Sequence, residues 1–231
     1  MKRFYKEVAM VASDQGFAVQ LDARPVRTPA RALLALPTPA LADAVAAEWR
    51  AQGESVDPAT MPFTGLANAA IDHVVANHKS FAAGIARYGE SDLLCYRAEA
   101  PQTLVQRQAA AWDPLLDWAR ARYDVAFVVT QGVLPVAQPA QTLARLGAVV
   151  EAFDPFLLAG LSTLVNLSGS LICGLAIVDG GHDLDAIWQA AEIDEAWQVE
   201  QWGEDAQAAA RNARRAADFA VAGAFCGMSR P

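Results

Sequence analysis

The sequence predicts an α+β protein, in which a small antiparallel β-rich N-terminal domain is followed by a larger all-α C-terminal domain. Apolar and polar residues alternate near the N-terminus, with the two-residue period of a half-buried strand. From about residue 64 onward the apolar residues instead recur every three or four positions, as in amphipathic helices. A segment interrupted by prolines, residues 55–65, separates the two patterns. We therefore predict one domain over residues 1–62 and a second over residues 63–231.

The N-terminal strands are expected to form a hairpin that a helix follows. Apolar residues alternate on two segments, at Val8, Met10 and Ala12 and then at Phe17, Val19 and Leu21. The turn sequence "DQG" lies between the two segments and favours an antiparallel pair. A helix is predicted after Thr38, which can cap it, with Pro39 in its first turn and Gly53 at its end.

The predicted C-terminal domain contains two Asp-Pro pairs and one β-branched stretch. Asp113 precedes Pro114 and Asp154 precedes Pro155, and each pair is typical of an N-cap followed by a first-turn proline. We therefore expect a helix to begin at each pair. The stretch "FVVTQGVLPV", residues 127–136, is instead predicted to be an extended segment docked on the helices.

An uncharged run over residues 155–178 is long enough to cross a bilayer, which needs roughly 20 apolar residues. Polar residues lie in its middle, and its flanks are Asp154 and Asp179 instead of basic anchors. Ser168 and Gly169 indicate a break within the run. We predict two buried helices, or one interrupted helix, in the core of the helical domain, and no membrane insertion.

Composition limits the possible partners and the compartment. The 231 residues carry a formal net charge of −8, which disfavours nucleic-acid binding because phosphates must be neutralised by basic residues. Three widely spaced cysteines indicate free buried thiols in a reducing compartment. The first residues, "MKRFYKEVAM", contain neither an apolar signal-peptide core nor an amphipathic presequence, so a cytoplasmic location is predicted.

Catalytic signatures are absent from the sequence. It contains no glycine-rich phosphate loop, no HExxH zinc motif and no GxSxG nucleophile elbow. His73 and His78 are five residues apart, which does not place them on one metal-binding helical face. We therefore predict no catalytic residue, no metal site and no cofactor. Asp92 and Arg97 are expected to form a structural ion pair.

The segment "AEIDEAWQVEQWGED", residues 191–205, contains six carboxylates and no basic residue. On a single helix over residues 185–202, Glu195 would lie at the centre of a stripe that also contains Trp188, Val199 and Trp202. A carboxylate among aromatic side chains needs a partner, because an isolated buried charge is costly. Two interpretations remain open: an internal salt bridge to an arginine such as Arg87, Arg97 or Arg107, or a protein-docking patch of tryptophans and carboxylates.

Several longer blocks resemble one known family. They are "RFYKEV" (3–8), "LDARPVRTPAR" (21–31), "AAEWRAQGESVDPATMPFTGLANAAID" (46–72), "YGESDLLCYRAEAP" (88–101), "RQAAAWDPLLDW" (107–118), "GSLICGLAI" (169–177) and "DEAWQVEQWGED" (194–205). In this order they are similar to the assembly chaperones of the catalytic sector of ATP synthase, which act on its alpha subunit. The resemblance covers nearly the whole chain.

The resemblance implies a non-enzymatic chaperone that binds the unassembled alpha subunit, shields its subunit interface and promotes assembly of the catalytic hexamer. It also implies a bacterial, cytoplasmic member of a family whose eukaryotic relatives act in the mitochondrial matrix, and a monomer is expected. The block at 194–205 carries the expected partner-binding residues, which are Glu195, Trp197, Glu200 and Trp202. Trp49 is a further candidate, although its helical stripe with Val45 is also typical of a core position. The alternative function is a small cytoplasmic enzyme that uses the carboxylates of the 185–202 helix.

Overall fold

The computed structural model describes residues 2–203 and 205–230 and confirms the α+β class. The strands are β1 (Val8–Ser13), β2 (Gly16–Leu21), β3 (Arg24–Pro25), β4 (Ala35–Leu36), β5 (Tyr96–Arg97) and β6 (Thr130–Gln131). The α-helices are α1 (Pro39–Ala51), α2 (Pro62–Ala69), α3 (Val75–Ala86), α4 (Gln102–Tyr123), α5 (Ala140–Glu151), α6 (Pro155–Ser168), α7 (Leu171–Asp179), α8 (Leu184–Ala191), α9 (Ile193–Trp202) and α10 (Ala206–Ser229). The N-terminal region is a small antiparallel sheet, and helices dominate the remainder.

The described residues fall into two compact units. The first takes in Met1–His78, Asp154–Gly160 and Ala224–Pro231, and the second takes in Lys79–Phe153 and Leu161–Gly223. Contacts therefore divide the chain after His78, whereas the boundary proposed from the sequence, between residues 62 and 63, stays a prediction. None of the helices in the described part of the chain combines the length and the apolar character that a membrane span needs.

The predicted hairpin is the centre of the first unit. Strands β1 and β2 pair antiparallel, with Met10 opposite Val19 and Ser13 opposite Gly16 across the turn. Gly16 has a φ of +119°, and a Cβ there would collide with the backbone carbonyl of Leu36 on β4. Glycine is therefore needed where β4 crosses close to the turn.

The helix α1 covers this sheet and begins at the predicted cap. The Thr38 hydroxyl accepts a hydrogen bond from the Leu41 amide at 3.2 Å. The helix ends at Ala51, earlier than the predicted Gly53, since Gln52 adopts an extended backbone and its side chain accepts from the Asp57 amide at 2.7 Å. The principal core residues of this unit are Tyr5, Val19, Leu21, Val26, Leu34, Leu36, Leu41, Val45, Met61 and Phe225.

A half-buried carboxylate on α1, that of Glu48, caps the start of α2. Glu48 accepts hydrogen bonds from the amides of Phe63 at 2.7 Å and Thr64 at 2.8 Å. A carboxylate is stabilised there by the unpaired amides at a helix N-terminus. This contact places the beginning of α2 with the first unit.

The apolar run is two buried helices, as predicted. Helix α6 ends at Ser168, and Gly169 adopts a left-handed φ of +68° that turns the chain. Ser170 then caps α7 by accepting from the Cys173 amide at 3.0 Å. Every residue from Leu171 to Val178 is buried, and α7 packs on α4 and α8. The lack of charge in this run thus reflects a position in the protein core.

Helix α4 corrects the prediction of a helix start at Asp113. It runs without interruption from Gln102 to Tyr123, and Pro114 lies inside it. An interior proline costs roughly 3 kcal/mol, because it removes a backbone hydrogen bond and crowds the preceding turn. Trp112, Leu115 and Leu116 are buried around it, and each contributes about 1.5–3 kcal/mol by leaving water. The burial outweighs the backbone penalty.

The predicted extended segment contains β6, which pairs with β5 in parallel, with Tyr96 opposite Thr130. The prediction of an ion pair between Asp92 and Arg97 is wrong. Arg97 pairs with Asp113 at 2.8 Å instead, and its guanidinium lies 5.1 Å from the ring centre of Trp112. The long side chain reaches across to α4, whereas Asp92 is turned toward α7.

Asp92 is a fully buried carboxylate that joins a short 3₁₀ turn to the start of α7. It accepts hydrogen bonds from the Ser170 hydroxyl at 2.7 Å, the Leu94 amide at 3.0 Å and the Ile172 amide at 3.0 Å. Burial raises its pKa to about 6, although these donors act in the opposite direction. Asp92 is therefore a polar tie inside an otherwise apolar core.

Candidate functional site

The acidic segment of the sequence forms two helices, which corrects the prediction of a single helix over residues 185–202. Helix α8 ends at Ala191 and α9 begins at Ile193. Between them Glu192 leaves the helical conformation, with φ −100° and ψ 12°. Trp188 therefore does not lie on one continuous helical stripe with Glu195. Its ring centre lies 5.1 Å from the ring centre of Phe219 on α10.

Arg215 of α10 holds the junction between the two helices. Its guanidinium pairs with Glu192 at 3.0 Å, donates to the Leu167 carbonyl at 2.7 Å and lies 5.3 Å from the ring centre of Trp188. Burial raises the pKa of Glu192, and the nearby Arg215 opposes that rise. One cation on α10 thus contacts α6, α8 and the residue that joins α8 to α9.

A groove of about 660 Å³ lies between α9 and α10. Glu195, Val199 and Trp202 line one side, since positions i, i+4 and i+7 share a helical face. Small residues of α10, including Ala208, Ala209 and Ala216, line the other. Val199 is 44% exposed and Trp202 is 79% exposed. The groove therefore combines an open apolar surface with a carboxylate.

Glu195 is exposed to solvent at the edge of the groove. None of the six ion pairs among the described residues includes Glu195, and its side chain is exposed. Its negative charge is close enough to Glu192 to raise the pKa of that carboxyl further. Arg211 and Arg215 also border the groove, and Arg215 is already bonded to Glu192. Asp205 also lines the groove, but it accepts hydrogen bonds from the amides of Gln207 and Ala208. Glu195 is thus an exposed carboxylate at the groove, and its predicted role in partner binding stays a prediction.

Trp197 and Glu200 lie on the opposite face of α9, toward α4. Arg107 of α4 donates to both carboxylate oxygens of Glu200 at 2.7 Å, and its guanidinium lies 4.9 Å from the ring centre of Trp197. This hydrogen bonding lowers the pKa of Glu200 and raises that of Arg107. The four candidates on this helix thus divide into a pair in the groove and a pair that contacts α4. A role for Trp197 and Glu200 in partner binding stays a prediction.

None of the three arginines considered as partners for Glu195, which are Arg87, Arg97 and Arg107, forms an ion pair with it among the described residues. Arg97 pairs with Asp113, and Arg107 pairs with Glu200. Helix α10, whose alanines and Arg215 complete the groove, was not predicted to contribute to the site. The alanine-rich stretch "AQAAARNARRAA" was a possible signal, because small residues allow another helix to approach closely.

Trp49 belongs to the first unit and is partly buried there. Its ring packs edge-on against Tyr5 at 5.8 Å, and the Tyr5 hydroxyl donates to the Trp49 carbonyl at 2.7 Å. The residue lies against the core formed by the sheet and α1. These contacts fit the core interpretation of its helical stripe, and its predicted role in partner binding stays a prediction.

Comparison with known proteins identifies the family. The model of the ATP12 chaperone protein family matches residues 2–120. The structure is similar to Atp12 of Paracoccus denitrificans, with 44% identity, 99% of this chain and 98% of that chain covered, and a TM-score of 0.95. The chain belongs to the ATP12 chaperone family.

Two further comparisons agree, one with a variant of the same protein and one with a second relative. An Asp-to-Lys variant of the same Paracoccus denitrificans protein matches with the same identity, coverage and TM-score of 0.95. The mitochondrial atp12 protein of Schizosaccharomyces pombe is 24% identical over 216 residues, which are 87% of this chain and 74% of that protein. As a family member, the chain is an assembly chaperone of ATP synthase.

Proposed function

We propose that this protein binds the unassembled alpha subunit of ATP synthase, shields its subunit interface and promotes assembly of the catalytic hexamer. The observation that carries the proposal is that an exposed tryptophan, Trp202, and the exposed carboxylate of Glu195 line the same groove between α9 and α10. Exposed aromatic side chains beside a charge are typical of residues that dominate binding energy at protein interfaces.

The chemistry of the groove defines what part of the subunit it would hold. Val199 and Trp202 favour an apolar side chain, which would leave water when the complex forms. Glu195 favours a lysine or arginine placed next to that side chain. The segment bound by the groove would therefore contain an apolar residue and a basic residue side by side.

The alternative, an enzyme that uses the carboxylates of the 185–202 helix, receives no support from this geometry. A pair of catalytic carboxylates must face one substrate. Glu195 faces the groove beside α10, whereas Glu200 faces α4 and is bonded to Arg107. We accordingly propose a binding protein without catalytic activity.

The proposed compartment is the bacterial cytoplasm, with the protein acting as a monomer. The three cysteines are buried and free, and burial raises the pKa of Cys95, Cys173 and Cys226 to about 12. Such thiols are protonated at neutral pH and unreactive. They fit a reducing compartment in which disulfides do not form.

A displacement assay tests the proposal. Purified unassembled alpha subunit should aggregate on its own and remain dispersed when this protein is present. Addition of the beta subunit should then release the chaperone, because the two proteins would compete for one interface on the alpha subunit. Aggregation that proceeds unchanged, or a chaperone that stays bound after hexamer assembly, would contradict the proposed function.

A further inference from the structure

Most backbone hydrogen bonds of residues 126–132, within the part of the chain that the structure describes, are made along one side. Buried Thr142 accepts from the Ala126 amide at 3.1 Å and donates to the Ala126 carbonyl at 2.7 Å. Buried Gln138 accepts from the Val128 amide at 2.9 Å and donates to the Val128 carbonyl at 2.8 Å. These two side chains therefore replace a neighbouring strand for the first half of the segment.

Strand β5 bonds the same side of the second half of the segment. It pairs with Thr130 in β6, and the Gly132 amide donates to the Arg97 carbonyl at 2.9 Å. Backbone groups are thus bonded inward at every second residue, at positions 126, 128, 130 and 132. In an extended chain, successive residues direct their N–H and C=O groups to opposite sides. The backbone groups of Phe127 and Val129 and the amide of Gln131 consequently point away from the protein, whereas the Gln131 carbonyl accepts from the Thr130 hydroxyl at 3.4 Å.

The outward edge lacks the features that normally protect a free strand. Natural edges are blocked by charged residues, prolines or bulges, because an open row of donors and acceptors recruits other chains. Residues 126–134, "AFVVTQGVL", contain no charged residue and no proline. Val128 and Val129 are 39% and 42% exposed, and Val133 and Leu134 are 93% and 77% exposed. This edge is apolar and open in the monomer.

A groove of about 550 Å³ runs beside the edge, between β6 and α4. Val105 and Ala109 line its α4 side, and Val129, Thr130 and Gln131 line its strand side. The paired charges of Arg97 and Asp113 lie at the same groove. The space beside the edge is therefore bordered by apolar side chains on both of its sides, Val105 and Ala109 on α4 and Val129 on the strand, together with the polar Thr130 and Gln131.

We propose that the edge over residues 127–131 is a second docking surface, which takes an extended, uncharged segment of the unassembled alpha subunit as an added strand. Only an extended main chain presents donors and acceptors at the spacing of Phe127, Val129 and Gln131. A second copy of this chain is disfavoured as the occupant because each copy carries a net charge of −8. This inference rests on the proposed function, since it names how the same partner is held.

Amide hydrogen exchange on the complex with the alpha subunit tests the inference. The amides of Val129 and Gln131 should exchange at least tenfold more slowly in the complex than in the free chaperone. A complex that forms without slower exchange at these amides overturns the added strand and leaves the proposed function intact. Failure of any complex to form overturns the proposed function, and the named occupant with it. Slower exchange in the chaperone alone at high concentration would make a second copy the occupant and also overturn the inference.

A proline substitution provides the matched variants. Val129→Pro removes the outward N–H, and an edge strand tolerates proline where its N–H faces solvent. Val129→Thr keeps the N–H and the branched shape and is the control. The proline variant should bind the alpha subunit at least tenfold more weakly than the threonine variant, with both folded by circular dichroism. Equal affinities of the two folded variants would overturn the inference.

Discussion

Glu195 and Glu200, five residues apart on α9, face different helices: Glu195 borders the groove beside α10, and Glu200 is bonded to Arg107 of α4. The two carboxylates should therefore respond differently to neutralisation. Glu195→Gln should weaken capture of the alpha subunit and leave the thermal midpoint unchanged. Glu200→Gln should leave capture closer to that of the wild type, because its contact lies within the chaperone. Pull-down assays and thermal melts of both variants measure these effects. Equal losses of capture would contradict the assignment of Glu195 to the binding groove and of Glu200 to the contact with α4.

Trp202 is expected to contribute to binding far more than to folding. Its side chain is 79% exposed, so Trp202→Ala should change the free energy of unfolding by less than about 0.5 kcal/mol. The loss of an interface tryptophan costs about 2 kcal/mol or more of binding energy, which is roughly a 30-fold rise in Kd. Titration calorimetry with the alpha subunit measures this rise. An unchanged Kd would show that the groove is not occupied in the complex.

Arg215 should be a major determinant of stability. Arg215→Ala leaves the Glu192 carboxylate without its cation and the Leu167 carbonyl without a donor, which should cost about 2–3 kcal/mol in urea unfolding. Arg211 lies on the same helix and is exposed, so Arg211→Ala is the matched control. Adding Glu192→Gln to Arg215→Ala should restore part of the loss. Similar effects of the two alanine variants would contradict this role.

The buried Asp92 predicts a pH dependence of stability. Its pKa is raised from 3.8 to about 6, so the folded state holds the proton more tightly than the unfolded state. The contribution of Asp92 is therefore most favourable below about pH 4 and is lost as the pH rises through about 6, by up to roughly 3 kcal/mol. Asp92→Asn should remove this dependence. Urea unfolding of both proteins between pH 4 and pH 7.5 gives the difference directly, and parallel curves would contradict the effect.

Local signals predicted the first part of the fold well. Alternation over residues 8–21 and the cap at Thr38 are short-range features, and the structure places both as expected. The break at Gly169 was also readable, because a left-handed glycine between two apolar runs ends one helix and allows another to begin. Such features depend on neighbours in the sequence and on little else.

The remaining features depend on contacts between distant residues. Pro114 has the local pattern of a helix start, yet burial of Trp112 and Leu116 keeps α4 continuous. The break at Glu192 follows from its pairing with Arg215, which lies 23 residues later in the chain. The sequence therefore predicted Glu195 and Trp202 on one face of a helix, but it could not show that α10 forms the other wall of the groove.

The central claim is that the groove between α9 and α10 binds the unassembled alpha subunit, and the most direct test is the Kd of that complex for wild type and Glu195→Lys. Asp43→Lys, at an exposed position of α1, makes the same change in charge and is the control. We predict that Glu195→Lys stays folded and raises Kd by about 30-fold or more, the effect expected of a dominant interface residue, whereas Asp43→Lys binds like the wild type. Equal affinity of a folded Glu195→Lys variant and the wild type would contradict the claim.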